Sequence, residues 1–341
     1  MTKKRRLLWL TAVIVVLFTL AKPQYSMAAE TSQTWESNIL AYVDGEQFGK
    51  GGYEKRLTDE EKLNTYVFSR QDGLKDVYIF DDNVKFIDGS GKIIEKDISL
   101  VKGDKGYGMA SNDIELVLPY NLSDSVTMKY NGNEISVIPQ NVKNSPEAVL
   151  KDNSVIYHNV FGGDVHLRYT PSLSGVKEDI ILDKYVQSFG YEFTIVTKGL
   201  MPYEDEKGIY FAKDKESEEK FRIGSVVAYD AKANMWPGEI SIRPVCEGEE
   251  YTVIISVDEK FLTSPDTVYP VAIDPSLTVS DNTHGIGAIE DAPVFSGYPS
   301  GNFGSFQYNR VGICTKEGPT VVGGFLSAVC RDWLIPHSIT A

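Results

Sequence analysis

Alternation of apolar and polar residues at a period of two dominates this chain, and it allows little except half-buried antiparallel strands. DIELVLPY (Asp113 to Tyr120) puts Ile114, Leu116 and Leu118 on one face. YEFTI does the same with Tyr191, Phe193 and Ile195, and YTVIISVD with Tyr251, Val253, Ile255 and Val257. Turn signals fall between such runs. YNGNE (Tyr130 to Glu134) centres Asn-Gly, the strongest short hairpin signal, and IDGSGKII (Ile87 to Ile94) carries a weaker one. Helix is scarce: TDEEKLNTYVF from Thr58 opens with a capping-box pattern, Thr58 and Glu61, and soon turns β-rich, so a turn or two is expected there. The predicted fold class is mainly β, with antiparallel sandwich-like domains and very little helix.

The first 29 residues stand apart as a secretory signal: KKRR at Lys3 to Arg6, an apolar run Leu7 to Ala21, then SMAA before cleavage at Ala28 or Ala29. No later stretch reaches the roughly 20 apolar residues that span a bilayer. A secreted or cell-wall-associated location is expected, with no membrane span after signal removal. Losing the five cations of the signal moves the formal net charge from -14 to -19. Such a balance repels phosphate backbones, so nucleic acid is not an expected partner. Cys246, Cys314 and Cys330 are too few and too scattered for a disulfide framework.

Composition divides the remainder. KNSPEAVLKDNS (Lys143 to Ser154) reads as a seam between a first β-rich domain, 30–145, and a second sandwich-like domain, 146–280. In AIDPSLTVSDNTHGIG (Ala272 to Gly287), Pro275 stops ladder donation and a Ser/Asp/Asn/Gly linker follows. The charge run Ala212 to Arg222 reads as an exposed hairpin tip.

Catalytic patterns are sparse. GGDVHLRY places Asp164, His166 and Arg168 on one face of a strand, opposite Val165, Leu167 and Tyr169. A carboxylate, an imidazole and a guanidinium together could do acid–base work, and equally form the wet face of an antiparallel strand. Glu178 and Asp179 are adjacent and so point to opposite faces, which opposes a shared role as a glycosidase pair. His158, His166, His284 and His337 show no metal-ligand spacing, and no phosphate-cradling loop is present. No catalytic residue, metal or cofactor is nominated. Aromatics gather late in the chain, with Tyr298 and Phe303 as loop candidates for stacking on a sugar ring.

Four segments in order carry a resemblance: Thr65 to Leu100, IYHNVFGGDVHLRYTPSLSGVKEDIIL (Ile156 to Leu182), FTIVTKGL (Phe193 to Leu200) and YPVAIDPSLT (Tyr269 to Thr278). They resemble the N-terminal region of secreted Gram-positive Rhs/YD-repeat proteins of the wall-associated type. IEDAPVFSGYPSGNFGSFQYNRVGI is similar to the opening of a DNRLRE-type domain, a carbohydrate-binding-like sandwich, so 281–341 is expected to be a linker plus an incomplete module of that kind. The resemblance implies an exported, non-enzymatic structural or interaction module with cell-wall or extracellular polysaccharide as partner. The alternatives are a polysaccharide-binding module using Tyr298 and Phe303, and a secreted glycan hydrolase using Asp164 and His166.

Overall fold

The computed structural model describes residues 53–280, apart from 71–74, 81, 144–145, 189 and 206, together with four short strands beyond residue 292. The signal segment, Tyr298 and Phe303 lie outside the described residues. The fold is mainly β and antiparallel, and helix among the described residues is confined to a 3-10 turn at Thr58–Glu60 and one short helix, α1 (Glu259–Leu262).

An N-terminal unit holds β1 (Tyr53–Arg56), β2 (Thr65–Arg70), β3 (Lys75–Ile79) and the hairpin β4 (Lys85–Ile87) and β5 (Ile93–Glu95). The capping box expected at Thr58 does not form, because Leu57 occupies the cap position and no side chain caps it. Glu61 is drawn elsewhere: its carboxylate accepts from Arg56 Nε at 2.7 Å and Lys85 Nζ at 2.6 Å, and both cations lie over the Tyr66 ring. Two charge-assisted bonds outweigh one bond to an orphan helix N–H.

The meander β6 (Asp97–Lys102), β7 (Gly106–Ser111), β8 (Glu115–Pro119), β9 (Val126–Tyr130) and β10 (Asn133–Pro139) follows. Asn131 and Gly132 both adopt positive φ, 46° and 78°, as the two-residue turn of YNGNE requires. Next come β11 (Ala148–Lys151), β12 (Ser154–Tyr157), β13 (Val165–Ser172), β14 (Gly175–Leu182) and β15 (Tyr191–Thr197). The chain continues through β16 (Met201–Asp205), β17 (Gly208–Ala212), β18 (Lys220–Ile223), β19 (Val227–Tyr229), β20 (Met235–Cys246) and β21 (Glu250–Val257). It then passes to β22 (Val271–Asp274) and β23 (Leu277–Ser280). The charge run 212–222 joins β17 to β18, which pair through Phe211 and Phe221.

Pairing runs from β8 through β9, β10, β15, β21, β20, β19, β22, β14, β13 and β12 to β11. The circuit closes where Asn121 bridges Glu147 and Ala148 N–H donates to Tyr120 O at 2.9 Å. Closure removes most sheet edges. β10 pairs with β15 from Ile135–Thr197 to Pro139–Phe193, across the expected seam, and one apolar cluster collects Leu116, Met128 and Ile135 with Leu167, Phe193 and Tyr251. The seam segment itself supplies the β11–β12 hairpin, turned at Asp152 with φ 53°. Pro275 interrupts the last ladder, so β22 and β23 contact different parts of β14.

The β13–β14 hairpin tip leaves the barrel core and enters the N-terminal unit. Leu173 is buried among Tyr66, Phe68, Tyr78, Phe80, Val84 and Ile98. Its carbonyl accepts from Lys96 Nζ at 2.9 Å, and Ser174 Oγ donates to Asp82 at 3.1 Å. Deleting this side chain leaves a cavity in the smaller core. Leu173→Ala is expected to cost about 2–5 kcal/mol. Amide exchange should accelerate in β2 and β3 before it does in β15 or β21, and uniform acceleration would refute the peg role.

Candidate functional site

Strand β13 and the residue before it carry the polar residues singled out from the sequence, and the structure divides them among three environments. Val165, Leu167 and Tyr169 are buried on the core face, and His166 and Arg168 lie on the other. Asp164, just before the strand, meets Lys184 Nζ at 3.0 Å at the surface.

His166 is held by the turn it closes. Its Nδ1 accepts from the backbone N–H of Asn159 at 3.0 Å, and Nε2 lies 3.0 Å from Asp183 Oδ2. A ring accepting at Nδ1 carries its proton on Nε2 and donates it to the carboxylate. Both nitrogens are therefore engaged. His158 packs edge-on against this ring, with centroids 5.0 Å apart, and burial followed by its histidine neighbour lowers its pKa. The pair is acid–base chemistry committed to holding the Asn159 turn, where φ is +60°.

Arg168 belongs to a second group. Its Nε and Nη2 donate to Asp179 Oδ2 at 3.0 and 2.8 Å, across a directly opposed pair of β13 and β14. The Asp179 side chain has no exposure. Tyr229 of β19 donates to its other oxygen at 2.9 Å, and Lys177 approaches that oxygen at 3.8 Å and Asp274 of β22 at 3.2 Å. Two cations thus face two carboxylates on the outer face of four adjacent strands. Burial pulls the Lys177 pKa down, and Asp179 and Asp274 more than offset it, so the ammonium stays charged. Burial raises Asp274 and Lys177 restrains it. The quartet is neutral in sum and its members satisfy one another, which makes it a four-strand rivet.

Glu178 lies on the core side of β14, opposite Tyr169. Burial pushes its carboxyl up to about 8, with the Tyr169 hydroxyl acting against the shift. Neither Glu178 Oε1 nor the Tyr169 hydroxyl makes a hydrogen bond of normal geometry. Glu178, Asp179, Lys177, Tyr229 and Asp274 were not selected from the sequence. The available signal was GVKEDIIL, three charges inside an apolar run bounded by strand residues. Among the described residues no group of three His, Cys, Asp or Glu is set to hold a metal, and no helix is long and apolar enough to cross a membrane.

Two outcomes follow from these environments. Glu178 has a raised folded pKa, so its contribution to stability is fully present below its ordinary value of 4.5 and is lost as pH rises through about 8. The thermal midpoint of Glu178→Gln, followed by circular dichroism, should fall less over that window than the parent's; parallel curves would contradict it. Arg168→Met strands a buried carboxylate and should cost about 3–5 kcal/mol, with Asp179→Leu added in the same chain recovering part of the loss.

No family model matches the chain, and no solved structure matches it. Curated proteins do. The chain is 24% identical over 298 residues to "tRNA nuclease WapA" of Bacillus subtilis (strain 168), which covers 80% of this chain and 12% of that protein. It is 24% identical over 274 residues to "tRNA3(Ser)-specific nuclease WapA" of Bacillus spizizenii, covering 73% and 11%. A third, "tRNA(Glu)-specific nuclease WapA" of Bacillus subtilis subsp. natto, matches at 24% over 298 residues. The chain spans about an eighth of the length of these relatives. These findings correct the resemblance drawn from the sequence, since no relative's name points to a DNRLRE-type domain. They also correct the expected non-enzymatic role and its two alternatives, because all three relatives are named as nucleases and none for polysaccharide binding or glycan hydrolysis. The exclusion of nucleic acid falls too, as tRNA stands in every name. That exclusion rested on net charge, which averages over a chain matching a small share of each relative and says nothing of the remainder.

Proposed function

We propose that this chain acts within an exported tRNA nuclease of the WapA type. The observation that carries this reading is similarity over four-fifths of the chain to proteins named as tRNA nucleases. The signal pattern at 1–29 supports export. Within the whole protein, tRNA is the substrate. The described barrel belongs to an acidic chain, with a formal net charge of -14, and its polar clusters at His166 and Arg168 are spent on internal bonds. Grip on the phosphate backbone by counterion release needs clustered Lys and Arg, so it falls to other residues of such a nuclease.

The test is an exchange. Replacing the matching segment of the Bacillus subtilis tRNA nuclease with residues 53–280 of this chain should preserve export and tRNA cleavage, read on gels of total tRNA. A chimera that is exported and folded yet leaves tRNA intact, where the parent cuts it, would sink the reading.

A further inference from the structure

Among the described residues, β20 leaves a long edge open. Met235 to Pro237 of β20 pair with β19, and Gly238 to Cys246 pair with β21, but the other side of this second stretch has no partner among the described residues. Gly238 N–H donates to Val226 O at 2.8 Å, away from β21. Because backbone direction alternates along a strand, Ile240 and Ile242 also direct their N–H and C=O groups outward. Glu239, Ser241 and Arg243 are exposed on the outer face of the sheet, while Ile240 and Ile242 are half-buried against the core.

We propose that this edge pairs with the same edge of a second copy of the chain, antiparallel about a two-fold axis through Ser241. An edge-to-edge dimer of this kind must be self-complementary. The register centred on Ser241 sets Ile240 opposite the partner copy's Ile242, and such a pair exchanges both N–H···O bonds because both residues point outward. The same register sets Glu239 opposite the partner copy's Arg243, reciprocally. Arg243 has only a loose contact with Glu192, at 3.9 Å between two exposed groups, and Glu239 has no ion pair among the described residues. Charges on an exposed edge ordinarily repel an incoming strand. Here opposite charges stand equidistant from the axis, so they select this partner and this register. Pro244 lacks an N–H and Gly238 has spent its own on Val226, which ends the ladder on both sides and closes the assembly at two copies.

The experiment is sedimentation of the mature full-length chain over a range of concentrations. A monomer–dimer equilibrium is expected. Glu239→Arg and Arg243→Glu each create two like-charge pairs across the axis and should weaken association about tenfold or more. Mixing the two variants should restore dimers, since the Glu239→Arg copy then sets two arginines against the two glutamates of the Arg243→Glu copy. Both positions are exposed, and unchanged circular dichroism confirms that the variants fold. A monomer at every concentration, a dimer indifferent to either reversal, or a mixture that stays monomeric overturns the proposal. So does an edge that takes up a foreign strand peptide but not a second copy.

Discussion

Asp179 sits without exposure between Arg168, Lys177 and Tyr229, and the rest of the barrel depends on that carboxylate being met from three sides. A buried charge left alone costs several kcal/mol, so β13, β14, β22 and β19 must stand in one register for the fold to be tolerable. Slipping β14 or β22 by one residue would turn its side chains to the other face, exposing Ile180 or Ile273 and burying a charge. The rivet therefore specifies pairing more than it adds stability. It also explains why β14 can serve β13 along its whole length and still hold both β22 and β23 on its other side.

Opposite the rivet, the core face of the same hairpin carries Tyr169, Glu178 and Ile180, and its tip delivers Leu173 to the N-terminal unit. One hairpin thus connects the outer ion group, the barrel core and the smaller core. The Arg56–Glu61–Lys85 group around Tyr66 plays the corresponding part in that unit, where its Glu61 has left the helix cap to meet two cations.

Similarity to tRNA nucleases fits an acidic barrel whose His166 and Arg168 are held in internal bonds if recognition and cutting of tRNA belong to the whole protein. The share of each relative that the chain matches, 12% or less, leaves ample length for those tasks. The histidine at the centre of the best sequence constellation illustrates the difference between having a catalytic residue type and having a catalytic group. His166 donates to Asp183 and accepts from Asn159, so neither nitrogen is at liberty to move a proton without opening the turn.

Strand identity was legible from the residues alone because period-two alternation is a local property. Ile114, Leu116, Tyr191, Phe193, Tyr251 and Val253 are all buried as their spacing required, and Asn-Gly formed its positive-φ turn. Scarcity of helix was legible for the same reason. Whether Thr58 and Glu61 would cap a helix was not, since Arg56 is close in sequence but Lys85 is brought in by tertiary pairing. The division of Asp164, His166 and Arg168 was likewise hidden: alternation placed the last two on one face, but His166 is held by Asn159 and Asp183, whereas the group around Arg168 is completed by Tyr229 and Asp274, 50 or more residues away. Sequence by itself determined the strands, their inward residues and their tight turns, because those depend on neighbours one to four positions apart. Tertiary structure alone decided the closure of the circuit, the burial of Asp179 and Glu178, and the edge of β20 that no described strand covers, because each depends on which distant strands become adjacent.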